Sequence, residues 1–163
     1  MKKIALFVVL SFVCISLQAQ FSSHIDGTPA RIVKKIDVEG TELLNENWVK
    51  GSAKIQDGTK FNDIMLKYNV LDDVPYFQGK DDAVMLFTKP VHEFTLNDGT
   101  LKIFRSGFPA VGNFKENSFY QVLAEGKMVL LKKIYKKITE SREYNSATTV
   151  KKIGDNTAYF VFL

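Results

Sequence analysis

The chain has 163 residues, 45% of them hydrophobic, with thirteen Phe, six Tyr and one Trp to fill a single core of ordinary size. Its one cysteine, Cys14, excludes a disulfide framework and a multi-thiolate metal site. The formal net charge of +4 is modest, which argues against general nucleic-acid binding.

The first predicted element is a secretory signal over residues 1–19. Lys2 and Lys3 form its positive end, Ile4 to Leu17 its apolar core, and Leu17-Gln18-Ala19 its small-residue cleavage site. The apolar core is shorter than the roughly 20 residues that a bilayer crossing needs. Cys14 follows Val13 inside that core, where a lipidation site would call for a small residue. Cleavage removes Lys2, Lys3 and no acidic residue, so the formal charge falls from +4 to +2, and the only cysteine leaves too. The sequence thus predicts an exported, cysteine-free protein that is periplasmic, outer-membrane-associated or secreted.

Residues 20–31, "QFSSHIDGTPAR", read as a mobile leader. A single β-rich domain is predicted over 32–163. In "NWVKGSAKIQ", Val49, Ala53 and Ile55 share one face of a strand; in "TKFNDIMLKYNV", Ile64, Leu66, Tyr68 and Val70 do the same. Asp57-Gly58 between them marks a hairpin, because glycine accepts the positive φ that a tight turn requires. Asp98-Gly99 repeats the arrangement between "VHEFTLN" and "TLKIF". The first Asp-Gly-Thr, at 26–28, falls in the leader and reads as coincidence.

Further turns follow at "LDDVP" (71–75), "QGKDD" (78–82), "SGFPAVGN" (106–113), "AEGK" (124–127) and "IGDN" (153–156). Short strands so punctuated predict a mainly β fold: an antiparallel, hairpin-built sheet, sandwich or open barrel. The segment 128–141 fits two readings. Leu130, Leu131, Ile134 and Ile138 have helical spacing, whereas a strand places Met128, Leu130, Ile134 and Ile138 on one face, interrupted by Lys132 and Lys136.

The stretches "NWVKGSAKIQDGTKFNDIMLKYNV", "GFPAVGNFKENSFYQVLAEGKMVLLKK" and "EYNSATT" resemble small secreted β-rich proteins of Bacteroidota-type bacteria. The resemblance covers roughly residues 45–163 and implies a fold; it carries no activity. Those proteins run on past the segment matching "AYFVFL" into a lysine-rich tail. Here Leu163 falls within a predicted strand, as in a member that lost its tail or a shortened product.

Candidate chemistry is sparse. His92-Glu93 lacks the second histidine of a zinc-protease helix, and His24 lies in the leader. No Gly-x-Ser-x-Gly elbow is present. Asp72, Asp73, Asp81 and Asp82 flank Tyr76, a composition that suits polar turns, a sugar or calcium contact, or the two carboxylates of a glycan hydrolase. Lys127, Lys132, Lys133, Lys136 and Lys137 form a solvated face or a contact for anionic envelope lipid. Phe108 and Phe114 either mark a recognition loop or plug one end of the sheet. The reading favoured is an envelope binding or structural accessory module without catalysis, metal or cofactor. Its partner would be an envelope protein or glycan, with peripheral membrane contact as a further option.

Overall fold

The computed structural model describes residues 25–31, 38–142 and 149–162. The predicted signal, most of the leader with His24, the "EYNSA" stretch and Leu163 lie outside the described residues. In chain order the strands are β1 (Gly27–Pro29), β2 (Val38–Glu39), β3 (Val49–Ile55), β4 (Lys60–Asn69), β5 (Val74–Gln78), β6 (Val84–Phe87), β7 (Val91–Asn97), β8 (Leu101–Arg105), β9 (Tyr120–Glu125), β10 (Val129–Arg142) and β11 (Thr149–Phe162). They make one open sheet in the order β1-β6-β5-β4-β3-β7-β8-β9-β10-β11-β2. Every pairing is antiparallel except β11 with β2. The fold is therefore mainly β, as the turn spacing predicts.

Both Asp-Gly hairpins form where expected. Gly58 and Gly99 have φ of 92° and 98°, and the β3–β4 turn is closed by Ile55 N–H on Thr59 O at 3.0 Å. One expectation is corrected. Gly27–Pro29, placed in a mobile leader by its composition, pairs with Met85–Phe87 of β6 and covers that edge. Of the two readings open for 128–141, the strand is the one formed, with 129–142 paired in continuous register with β11 from Val129↔Phe162 to Arg142↔Thr149. Its buried positions are Leu131 and Lys133, the opposite parity from the apolar set read in the sequence; Met128, Leu130 and Ile138 are exposed.

The sheet is strongly curled. Tyr68 on β4 and Phe104 on β8 are three strands apart, a separation of about 14 Å in a flat sheet. Their ring centroids are 5.2 Å apart. Phe94 stacks on Phe104 at 4.9 Å, and Phe119 meets Phe94 edge-on at 5.0 Å. This aromatic cluster forms the centre of the core, with Leu66, Leu96, Val49 and Phe77 around it.

The curl passes through β3, whose inner positions carry the small residues Gly51 and Ala53. The β3–β4 register shifts between them. A Cβ on Gly51 would lie 1.9 Å from Thr95 O, so only glycine allows β7 to approach this closely.

Connectivity demands the same curvature. β1 and β2 sit at opposite edges of the sheet, ten strand steps apart, or about 48 Å if flat. Yet the chain from Pro29 to Val38 can reach no more than about 30 Å.

Candidate functional site

Curling brings the β4–β5 turn, the loop before β9 and the middle of β10 together. The turn is organised by Asn69, which is fully buried. Its Oδ1 accepts from the Leu71 and Asp72 backbone N–H groups, both at 3.0 Å; its Nδ2 donates to Asp72 Oδ2 at 3.0 Å and to the Tyr76 hydroxyl at 3.1 Å. Asp73 follows in the left-handed region, φ 60°, which an aspartate tolerates better than most residues.

The Asp73 carboxylate is the hub. It accepts a short hydrogen bond from the Tyr68 hydroxyl and one from Lys133 Nζ at 2.6 Å, with the Phe119 N–H 3.3 Å away. Lys133, 2% exposed, also donates to Phe119 O at 2.9 Å. Its ammonium lies 5.7 Å from the Phe114 ring and 5.6 Å from that of Tyr120.

Burial pulls the Lys133 ammonium below the usual lysine range, and Asp73 offsets part of that shift. Burial first, and Asp73 second, hold the Tyr68 phenol well above the ordinary tyrosine value. This cluster is an ion pair with its hydrogen bonds arranged for structure, and it fixes the floor of a cleft.

The cleft holds about 420 Å³. Asp72, Asn113, Lys115, Asn117, Tyr135 and Lys137 are among its walls. Lys136 is occupied, donating to Thr41 O at 2.8 Å and meeting Asp155 at 3.2 Å. Among the described residues Lys115 and Lys137 have no carboxylate partner; Lys137 lies 5.3 Å from the Tyr135 ring. A second cleft of about 310 Å³ shares Asp73, Val74 and Asn117 with the first and continues over Pro75, Leu86, Phe87, Val91 and Phe119.

The candidate residues read from sequence divide among these places. Asp72 and Asp73 lie at one end of the five-residue β5, and the hydroxyl of Tyr76, its central residue, reaches back to Asn69 there. Asp81 and Asp82 sit on a short 3-10 turn (Lys80–Asp82) at its other end, where Gln78 Nε2 donates to Asp82 Oδ1. A strand of that length separates the two pairs by roughly 17 Å, wider than the carboxylate spacing of either glycosidase geometry.

The five lysines do not share one surface either. Lys133 is turned inward, Lys136 is held by Thr41 O and Asp155, Lys132 is half-buried, and the exposed Lys127, in the β9–β10 turn, lies ten residues from Lys137, about 34 Å if extended. His92 stands on β7, where its backbone carbonyl accepts from the Ser106 N–H and hydroxyl. Phe108 and Phe114 both pack edge-on against Tyr120, so they plug this end of the sheet.

Sequence reasoning missed Lys115 and Asn117, whose loop becomes a wall only through the curl. It also read Lys133 as one of a solvated set. A lysine at the inward parity of a strand carries no local mark of its partner, here 60 positions away.

Comparison with family models, with curated proteins and with solved structures returned no match.

Proposed function

We propose that the chain is an exported binding module of the cell envelope that holds an anionic ligand in the cleft between the β4–β5 turn, the 113–118 loop and β10. The observation that carries this reading is the pair of ammonium groups, Lys115 and Lys137, that have no carboxylate partner among the described residues and stand above a floor fixed by the buried Asp73–Lys133 pair. Such a floor costs little reorganisation when a ligand arrives, which is what a binding site requires. The distance between the Asp72–Asp73 and Asp81–Asp82 pairs counts against a glycan hydrolase. Export rests on the signal pattern of residues 1–19.

The test is a photo-crosslinking amino acid at position 117, in the full chain expressed with its own leader. An envelope-fraction adduct carrying a glycan or lipid anion supports the proposal. Protein retained in the cytoplasm, or exported without any adduct, overturns it.

A further inference from the structure

We infer that the two adjoining clefts together take one single-chain anionic amphiphile. Its acyl chain would lie against Val74, Leu86 and Val91, and its phosphate or carboxylate head between Lys115 and Lys137. This deepens the proposed function and rests on the cleft being a ligand site.

Three observations converge on it. The clefts share Asp73, Val74 and Asn117, so they are neighbouring chambers along one wall. Their chemistry differs. The smaller is lined chiefly by proline, valine, leucine and phenylalanine side chains, beside Asp73, Thr88, Asn117 and a Lys89 that is paired with Asp57; the larger carries Lys115 and Lys137, which have no carboxylate partner among the described residues. Each volume is of the order found for small-ligand sites, about 300–1,000 Å³.

Val74, Leu86, Phe87 and Val91 are each half-buried rather than sealed, which leaves apolar surface for a chain to cover. A saccharide acid would meet Thr88, Lys89 and Asn117 along that wall but would leave its seven apolar side chains uncovered. A polyanion would be repelled by Asp72, whose carboxylate lines the same cleft as the lysines. One compact anionic head on an apolar tail satisfies both chambers.

The experiment titrates the purified mature chain with hexadecyl phosphate and with palmitate, below their micellar concentrations, following binding by NMR. Neutral hexadecanol, inorganic phosphate and a sulfated oligosaccharide serve as comparisons. Binding of either amphiphile should shift the resonances of Val74, Leu86 and Val91 together with those of Lys115 and Lys137. The relative affinities of hexadecyl phosphate and palmitate identify the preferred head.

Hexadecanol should bind about tenfold more weakly, as should hexadecyl phosphate to the Lys115→Glu/Lys137→Glu variant. Leu86→Glu should weaken the amphiphile and leave the weak response to inorganic phosphate unchanged. The shift map of the unaltered chain stands even where a variant folds poorly. Binding of the sulfated oligosaccharide without the amphiphiles overturns this inference and leaves the proposed function standing. Binding of none of the anionic probes, or shifts confined to residues outside both clefts, overturns the amphiphile.

Discussion

Lys133 Nζ lies 2.6 Å from Asp73 Oδ2, although β10 and β4 are five strand steps apart, roughly 24 Å in a flat sheet. The pair is a clasp across the mouth of the curl. Lys133→Ala leaves the Asp73 carboxylate and Phe119 O short of a donor and should cost about 3 kcal/mol in urea unfolding. Lys133→Met combined with Asp73→Asn should cost clearly less than the sum of the single changes, because the charges are removed together.

Two glycines separate steric from conformational demands. Gly51→Ala drives a methyl into Thr95 O and should cost about 2–3 kcal/mol. Gly58→Ala meets nothing within 4 Å, and only its φ of 92° opposes the change, so about 1 kcal/mol is expected. Denaturation midpoints of the two variants give the comparison directly.

The tyrosine hydroxyls of the site should answer oppositely to removal. The Tyr68 hydroxyl donates to a charged carboxylate, so Tyr68→Phe should destabilise by about 2 kcal/mol. The Tyr120 hydroxyl is buried and has no hydrogen-bond partner among the described residues. Tyr120→Phe should be neutral or slightly stabilising on thermal unfolding.

Acid should loosen the first hairpin through Asp57. The Lys89 ammonium, 2.8 Å away, and the Thr59 backbone N–H hold its carboxyl at about 2, below the ordinary 3.8. A carboxyl lowered in the folded state adds stability that is complete above pH 3.8 and is lost as pH falls through about 2. Carboxyl NMR titration should show Asp57 moving back toward 3.8 in Lys89→Ala, and the shift should shrink in high salt.

The hairpins were legible because an Asp-Gly turn is a local statement, made by residues that touch one another. Alternation likewise placed Leu66, Tyr68, Ala53 and Ile55 on the inner face. The curl was hidden because its causes are dispersed: a missing side chain at Gly51, ring contacts across three strands and a clasp between residues 73 and 133. β10 was ambiguous because its inward positions include a lysine, which reads as surface in any periodicity count. The first Asp-Gly-Thr was misread because a three-residue strand edge has no period of its own. Of the candidate site, the sequence named Asp72, Asp73, Lys133 and Lys137 but assigned them to separate patches. The contacts that bring them together are long-range.

The placement of β1 and β2 at the two outer edges has a kinetic consequence. Both precede every strand they help to cover, and β2 meets its partner only at Lys151 and Lys152, near the far end of the described chain. Closing loops of that length is slow, and sheets dominated by such pairings fold in about milliseconds to seconds. Until β1 and β2 dock, β6 lacks a partner along Met85–Phe87 and β11 lacks one at Lys151–Lys152, while Tyr159 and Val161 stay exposed even in the finished fold. A nearly complete sheet that lacks only the two short covers written earliest into the strand sequence is therefore open at both edges.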